Sequence, residues 1–377
     1  MWLSATEALA RLGSKPQSLY ANVSRGRIRA KPDPADSRRS LYREDDVDRV
    51  AARSRGRRSV AATASEAISW GEPVLFSSIS TVARGHLIYR GVDVATLAAT
   101  ATLEDVAALL WDGSGSPPAS FEPVANPSVG AALAALAGRA AVDPPSAGRG
   151  AAALRIEAAE VHASIAESLV GGGDGQLHER LARSFGRPDA ADALRRVLVV
   201  LADHELNAST FAARVAVSTG ASLAAGALAG LATLGGPRHG NAAPAVLALA
   251  EDIGSGHDAL EALRDWLGEG RAVPGFGHPL YPRGDVRCPM LLAAFENPPA
   301  FARLRSAGEI MLDEAPNIDF ALAALTSAYG LPRHAPVTIF ALARSVGWLA
   351  HGIEQATSGQ LIRPRARYVG PPLQTAP

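Results

Sequence analysis

Apolar residues recur at helical spacing through most of the chain. In one clear run, Leu103, Val106 and Leu110 lie three or four positions apart, and Gly113 follows them. Residues at these intervals share one face of an α-helix, so the run predicts an amphipathic helix that the glycine ends. Few runs in this part of the chain alternate β-branched and polar residues. The pattern therefore predicts an all-α body, residues 59–377, preceded by a smaller unit.

The smaller unit, residues 1–58, is called the head, and it begins with two helix signals. Ser4 is followed three residues later by a Glu, which is a capping box, and Gly13 is a stop signal. Ser14 is followed three residues later by a Gln, with a Pro in the first turn, and Gly26 is the next stop signal. Two short helices joined at a glycine are therefore predicted.

A basic ribbon follows these two helices. Arg25, Arg27 and Arg29 alternate with small or apolar residues, which favours a strand. The run KPDPADSRRSLY predicts a wing-like hairpin with Arg38 and Arg39 at its return. Three acidic residues then begin a third helix, where their charge suits the helix dipole.

The formal net charge of zero conceals an asymmetry, since the head carries +7 and the body −7. A basic head on an acidic body indicates a contact between the head and an anionic polymer. Two helices followed by a basic hairpin resemble the winged helix-turn-helix of MerR- and excisionase-type DNA-binding domains. The resemblance implies a major-groove set of Lys15, Gln17, Ser18 and Asn22, and a phosphate set of Arg27, Arg38 and Arg39. A docking module that no longer binds DNA is the alternative.

The composition limits the class of protein. Of the 377 residues, 47% are hydrophobic and 20% charged, as is usual for soluble globular proteins. Cys288 is the only cysteine, which excludes a disulfide framework and favours a cytoplasmic location. Glu7 and Arg11 stand too early for the apolar core of a signal peptide. The uncharged run 215–237 is long enough to span a bilayer, but its small residues favour a buried or subunit-interface helix, so no membrane contact is expected.

Polar residues gather in apolar, Gly-rich surroundings in the second half of the chain. These segments hold three histidines, a carboxylate and three arginines. Arginines clamp small di- or tricarboxylates, a carboxylate can remove a carbon-bound proton, and histidines can donate hydrogen bonds to a developing oxyanion. His204, His239 and His278 are separated by 34 and 38 residues, which is not a close-spaced metal signature, so no metal is expected.

Together these segments resemble the citrate synthase family. The motifs are GGPRHGN, GFGHPLY with a following Asp-x-Arg, PNIDF, FALARSVGW, RPRARYVG and the earlier HLIYRGVDVATLA. The similarity runs from about residue 73 to residue 370. It implies an all-helical homodimer in which a large domain, about 59–240 and 345–377, and a small mobile domain, about 241–344, enclose the active site.

The resemblance also implies a reaction and its residues. Acetyl-CoA would condense with oxaloacetate, and hydrolysis of the thioester would release citrate and CoA without a permanently bound cofactor. Asp319 would remove the proton from the acetyl methyl group. His239 would bond the thioester oxygen, and His278 would polarise and protonate the ketone. The residues implied for oxaloacetate are His204, Arg287, Arg344 and, from the neighbouring subunit, Arg363.

Two departures from the family pattern fall beside His278. Pro279 stands where citrate synthases usually have Arg, and Pro282 where Lys is common, which bears on CoA binding unless Arg283 compensates. A 2-methylcitrate synthase that uses propionyl-CoA and a citryl-CoA-cleaving enzyme are alternatives within the family. A transcription regulator whose enzyme-like body senses a metabolite is the alternative from another class. The retained Asp319 favours an enzyme, because a sensor needs the arginines but not the base.

Overall fold

The computed structural model describes residues 1–13, 15–24, 26–34, 36–54, 75–113, 126–236, 239–240, 242–364, 366 and 370–371. Most residues in these ranges are helical, which confirms the all-α expectation for the body. Two small antiparallel sheets lie in the described part, one in the head and one at the start of the body. Ser14, Arg25 and the side chain of Arg38 lie outside the described residues.

The described residues of the head form three helices and a three-stranded sheet of order β1-β3-β2. Its elements are β1 (Trp2–Leu3), α1 (Ala5–Leu12), α2 (Pro16–Ser24), β2 (Ala30–Asp33), β3 (Asp36–Arg43) and α3 (Glu44–Ser54). Strand β3 pairs antiparallel with both neighbours, and Trp2 lies opposite Arg43. The described residues of the head thus contain two helices followed by a hairpin, while a helix-turn-helix relationship stays a prediction.

Local signals in the head explain its helix ends. The hydroxyl of Ser4 accepts the Glu7 N–H at 3.3 Å, and the Glu7 carboxylate accepts the Ser4 N–H at 2.8 Å. Gly13 ends α1 with a positive φ of 60°. The basic run Arg25–Arg29 was expected to form a strand. This expectation was wrong for the described residues, because β2 begins only at Ala30. The backbone N–H groups of residues 27 and 28 instead donate to the Asn22 carbonyl and close the end of α2.

The body begins with a small sheet that the sequence did not predict, of order β4-β5-β6. The strands are β4 (Ser80–Ala83), β5 (His86–Tyr89) and β6 (Val92–Asp93). The helices that follow are α4 (Val94–Thr100), α5 (Leu103–Leu110), α6 (Val129–Val142), α7 (Ala151–Val170), α8 (Leu177–Ser184), α9 (Ala191–Leu201), α10 (Ala208–Ser218), α11 (Leu223–Leu234), α12 (Ala243–Gly254), α13 (Ala259–Gly268), α14 (Arg287–Leu292), α15 (Pro299–Leu312), α16 (Ile318–Ala328) and α17 (Ala335–Ser358), with a 3₁₀ turn at Pro188–Ala190.

The body has one continuous hydrophobic core with α17 near its centre. Helix α17 packs against α5, α7, α9, α10 and α11. Two glycines allow these close contacts: a Cβ at Gly230 would lie 2.7 Å from the Trp348 ring, and one at Gly347 would lie 2.5 Å from the carbonyl oxygen of Ala202. The second contact brings the loop after α9 directly against the middle of α17.

The head has a separate small core that includes Leu3, Leu19, Ile28 and Tyr42. The division of the body into a large and a small domain stays a prediction. The uncharged run that was expected to form one helix instead divides into the end of α10 and all of α11, since Gly220 has a φ of 87° and Ser222 caps the next helix. No helix in the described part of the chain is long and apolar enough to cross a membrane.

Candidate active site

Six of the predicted site residues project from separate elements into one region of the body. Three are histidines in loops, and the others lie on helices. The histidines are His204 after α9, His239 between α11 and α12, and His278 before α14. The helical residues are Arg287 at the start of α14, Asp319 in the first turn of α16, and Arg344 in the middle of α17.

An aromatic cluster joins two of these histidines. The rings of His204 and His278 are 5.1 Å apart between centroids and nearly perpendicular. Tyr281 lies against both rings, and its hydroxyl is 2.9 Å from Nε2 of His204. The guanidinium carbon of Arg287 is 5.5 Å from the centroid of the Tyr281 ring. The structure therefore brings three predicted residues together around Tyr281, which the sequence had marked only as part of a motif.

His278 is held as a neutral hydrogen-bond donor. Its Nδ1 accepts the backbone N–H of Leu280 at 3.2 Å, so the proton of the neutral ring lies on Nε2. Burial, with the nearby charge of Arg287, lowers the pKa of His278 to about 4, while Asp285 acts in the opposite direction. The neutral ring can therefore donate its Nε2 proton to a ligand at physiological pH. Burial, together with Arg287, also lowers the pKa of His204 well below its usual value.

His239 is oriented by Ser209, a residue that sequence reasoning missed. The Ser209 hydroxyl is 2.8 Å from Nε2 of His239 and accepts the indole N–H of Trp348 at 3.1 Å. It also lies 2.7 Å from Oδ1 of Asn207, so its single proton has two acceptors. When the hydroxyl donates to Asn207, His239 donates from Nε2; when it donates to His239 instead, the imidazole proton lies on Nδ1, where it is available to a ligand. Burial, with a contribution from Arg344, lowers the pKa of His239 to about 4.

Asp319 has the environment expected of a general base near neutral pH. Its Oδ1 is buried and makes no hydrogen bond within the described ranges of the chain. Burial raises the pKa of Asp319 to about 7, while Arg287 lowers it and Asp285 raises it further. Asn317 caps α16 by accepting the Asp319 N–H at 3.0 Å. The carboxyl therefore lies at a helix N-terminus with one oxygen facing away from any described donor.

Arg287 is buried and held by an acidic partner. Its Nε and Nη2 donate to Asp285 at 2.9 and 2.7 Å, and the Asp285 carboxylate also accepts the backbone N–H groups of Arg287 and Ile318, both at 3.1 Å. Despite burial, the Asp285 carboxylate raises the pKa of Arg287. Asp285 thereby links the Arg287 guanidinium to the start of α16, at the residue that directly follows Asn317. No described residue accepts a hydrogen bond from Nη1 of Arg287, so that nitrogen is available to a ligand.

Arg344 is buried, and one of its guanidinium nitrogens has no hydrogen-bond partner among the described residues. Its Nε donates to the carbonyl of Leu201 at 2.8 Å, whereas Nη2 is buried and has no hydrogen-bond partner among the described residues. Burial lowers the pKa of Arg344 to about 10, and Asp203 opposes this shift. The side chain therefore stays charged at neutral pH. The cost of such a buried charge is large unless a ligand or counter-ion offsets it, which is typical of a site for an anion.

Behind the cluster lies a hydrogen-bonded network that the sequence did not reveal. Asp203 is fully buried and accepts from Ser80 and from Nε2 of His351, the latter at 3.3 Å. The Tyr89 hydroxyl bonds both the N–H and the carbonyl of Asp203, at 3.0 and 2.9 Å. The small sheet of the body therefore fixes the loop that carries His204. His351 also belongs to this network.

The remaining predicted residues lie elsewhere. Arg363 is exposed after the end of α17 and makes no hydrogen bond with the described residues of the cluster. In the head, Lys15, Gln17, Ser18 and Arg39 are exposed, whereas Asn22 and Arg27 are half-buried. The amide of Asn22 donates to the Ser18 carbonyl at 2.7 Å, inside α2. Within the described ranges, no group of three or more His, Cys, Asp or Glu residues could hold a metal ion.

Sequence comparisons relate the body to one enzyme family. A model of the C-terminal domain of citrate synthase matches residues 68–127 and 151–365. Citrate synthase 2 of Bacillus subtilis is 36% identical over 197 residues, which are 50% of this chain and 53% of that protein. "Putative citrate synthase 2" of Mycobacterium tuberculosis is 32% identical over 326 residues, 76% of this chain and 87% of that protein. The 2-methylcitrate synthase of the same organism is 34% identical over 215 residues, 52% of this chain and 54% of that protein.

The fold is also similar to solved structures. Citrate synthase of Thermoplasma acidophilum, in a ternary complex with carboxymethyl coenzyme A and oxaloacetate, superposes with a TM-score of 0.67 at 24% sequence identity. The superposition covers 81% of this chain and 96% of that one. At this identity the likeness establishes the fold.

Proposed function

Because the chain belongs to the citrate synthase family, we propose that it condenses acetyl-CoA with oxaloacetate and then hydrolyses the thioester to citrate and CoA. The observation that carries this proposal is the environment of Asp319. Its carboxyl has a pKa of about 7 and one free buried oxygen, beside Arg287 and in the same region as three neutral histidines. That combination suits removal of a proton from carbon.

The first step is removal of a proton from the acetyl methyl group. Such a proton is weakly acidic, so a carboxylate alone is insufficient and the oxygen of the forming enol must be stabilised at the same time. Oδ1 of ionised Asp319 accepts the proton. His239 donates its Nδ1 proton in a hydrogen bond to the thioester oxygen, which requires the Ser209 hydroxyl to donate to Nε2.

In the second step the enol carbon attacks the ketone carbon of oxaloacetate, and a carbon–carbon bond forms. The ketone oxygen gains negative charge as its double bond opens. His278 carries its proton on Nε2, so it polarises this oxygen and then transfers the proton to give the hydroxyl group of the citryl thioester. The proton that Asp319 took from the methyl group balances this transfer, since its return through water restores the neutral ring of His278. Because the pKa of His278 is about 4, its ring is neutral at physiological pH, and the neutral imidazole is therefore the donor.

Oxaloacetate binding follows from the two buried arginines. Arg344 offers Nη2, and Arg287 offers Nη1, so each can bond a carboxylate of the dianion. His204, held by Tyr281, supplies a further polar contact. We assign Arg363 to the site of a neighbouring subunit in a homodimer, since it is exposed in the single chain and makes no hydrogen bond with the described residues of the cluster.

Acetyl-CoA and propionyl-CoA are both candidates for the acyl donor. Pro279, Leu280, Pro282 and Arg283 are all exposed beside His278, where an approaching CoA would contact them. A 2-methylcitrate synthase that takes propionyl-CoA is the second candidate, supported by the similarity to the M. tuberculosis enzyme. CoA would be a co-substrate and not a resident cofactor in either case. A citryl-CoA-cleaving activity uses the same residues in the reverse sense.

The head supports a second proposed role, as a DNA-binding unit of a cytoplasmic enzyme that regulates transcription. Lys15, Gln17 and Ser18 are exposed at the first turn of α2, and Arg39 is exposed on the hairpin. Exposed cations at a helix start and a hairpin match the pairing of base and phosphate contacts in such modules. The net charge of +7 on residues 1–58 supplies the non-specific attraction.

Release of free thiol from acetyl-CoA, with and without oxaloacetate, tests the enzyme proposal, and propionyl-CoA is run in parallel. Oxaloacetate-dependent thiol release is expected, and the ratio of the two rates identifies the acyl donor. Thiol release that does not depend on oxaloacetate would overturn the condensation. Absence of thiol release with both donors, while oxaloacetate binds tightly, would also overturn it and would leave the body as a metabolite sensor.

A further inference from the structure

The head packs directly on the body. Helix α2 contacts α13 and α15, and strand β3 contacts α13. The approach is close enough that a Cβ at Gly270, which follows α13 with a φ of 75°, would lie 2.6 Å from the carbonyl oxygen of Ala30 in β2. Backbone therefore meets backbone at this contact. The described residues of the head therefore pack on the body, although the head has its own hydrophobic core.

One face of α2 makes the contact. Tyr20 packs against the hydrophobic core of the body, and Ser24 lies one turn later on the same face. The hydroxyl of Ser24 donates to the carbonyl oxygen of Val273 at 3.0 Å, and this bond is partly buried. The polar residues Gln17 and Ser18 lie at the other end of the helix and stay exposed.

Val273 begins the segment that ends at His278. Val273 is buried in the body core, and Gly275 and Gly277 follow it with φ angles of 84° and 68°. Asn317 holds the middle of the segment, since its N–H bonds the Gly275 carbonyl at 2.8 Å and its amide bonds the Gly277 carbonyl at 3.0 Å. The Gly277 N–H also donates to the Ala315 carbonyl at 2.9 Å, so three hydrogen bonds hold the segment near its end. Its start is bonded by the Ser24 hydroxyl, directly after Ala272, whose carbonyl accepts the indole N–H of Trp266 at 2.8 Å.

We infer that Ser24 is a positioning residue for the substrate site, acting through the Val273 carbonyl to fix the segment that carries His278. The inference rests on the proposed role of His278 in oxaloacetate binding. A segment with two glycines has many accessible conformations, so an anchor at its start reduces the conformational entropy that substrate binding must otherwise remove. The head then contributes to binding of a small dicarboxylate although none of its residues touches the ligand.

The test compares three variants of the full-length chain. Ser24→Ala removes the hydrogen bond, Ser24→Thr keeps the hydroxyl, and Thr6→Ala removes an exposed hydroxyl from α1, which packs on other elements of the head. Steady-state kinetics give kcat and the KM values for oxaloacetate and for the acyl-CoA. For Ser24→Ala we expect the KM for oxaloacetate to rise by roughly 2- to 13-fold, the range set by the net value of one hydrogen bond, with kcat unchanged. Ser24→Thr and Thr6→Ala should match the wild type.

An unchanged KM for oxaloacetate in Ser24→Ala would overturn the inference, and so would an equal rise in Ser24→Ala and Ser24→Thr, which would assign the effect to packing. Calorimetric titration of oxaloacetate separates this inference from the proposed reaction. Weaker oxaloacetate binding in Ser24→Ala, in a protein that releases no thiol from either acyl-CoA, would keep the positioning role and reject the condensation. If the wild type is active and Ser24→Ala binds oxaloacetate with unchanged affinity, the condensation is kept and the positioning role is rejected.

Discussion

Replacement of Asp319 by Asn should separate the contribution of this carboxyl to kcat from its effect on the free energy of unfolding. The asparagine keeps the size of the side chain and removes only its ability to ionise. A general base contributes roughly 10²- to 10⁴-fold to a rate, so kcat for condensation should fall by that factor. Oxaloacetate affinity should stay within about twofold of the wild type, because the arginines that bind the dianion are untouched.

The effect on stability follows from the pKa of Asp319, which is raised from 3.8 to about 7. A raised carboxyl pKa means that the folded protein binds the proton more tightly than the unfolded chain, so stability falls as pH rises from about 4 to about 7. The full difference corresponds to roughly 4 kcal/mol of unfolding free energy above pH 7. Asp319→Asn cannot ionise and should recover up to this amount at pH 8, but only roughly 2 kcal/mol at pH 5.

Chemical unfolding of both proteins at pH 5 and pH 8 measures these differences, and thiol release measures the activity. Asp265→Asn, a change of the same chemistry at an exposed position on α13, is the matched control and should shift neither stability nor rate. The wild-type kcat/KM for acyl-CoA should rise with pH as a group of pKa about 7 ionises. A stability gain of equal size at both pH values, or activity within tenfold of wild type, would refute the assignment of Asp319 as a buried base.

Three further substitutions test other parts of the site and the head. Ser209→Ala removes the hydroxyl that orients His239, so kcat should fall about 10- to 100-fold with oxaloacetate affinity kept; a loss of oxaloacetate binding instead would contradict this role. Arg344→Met removes a buried charged donor and should weaken oxaloacetate binding about 10- to 150-fold by calorimetry; equal affinity would show that Nη2 meets no ligand. Arg39→Gln should reduce the slope of log Kobs against log salt for DNA by about 0.9 in mobility-shift titrations; an unchanged slope would remove this residue from any DNA contact.

Helix ends in the head were predictable because their signals are local. The capping box of Ser4 and the stop at Gly13 involve residues within one turn of each other, and both are present. The sheet at the start of the body was not predictable in this way. Its strands have only two to four residues, and Ser80 is held by Asp203, more than a hundred positions later. Such strands depend on tertiary contacts and leave little periodicity in the sequence.

The identity of the site residues came from motifs, whereas their chemical state comes from packing. The sequence named Asp319 but could not give its pKa, since that depends on the burial that α16 and its neighbours produce. Ser209 and Tyr281 act on histidines that are 30 and 77 positions away, and nothing in their spacing indicates those contacts. His351 shows the same limit, because its partner Asp203 is 148 positions earlier.

The charges of the site also favour an order of events. Arg287 is paired with Asp285, Arg344 is balanced by the buried Asp203, and each arginine keeps one nitrogen for a ligand. Arg287 lowers the pKa of Asp319. A dicarboxylate that pairs with Arg287 screens this effect, and its own negative charge raises the pKa of Asp319 further. Asp319 thereby becomes a stronger base when oxaloacetate is present, so the dicarboxylate should bind before the methyl group of the thioester loses its proton.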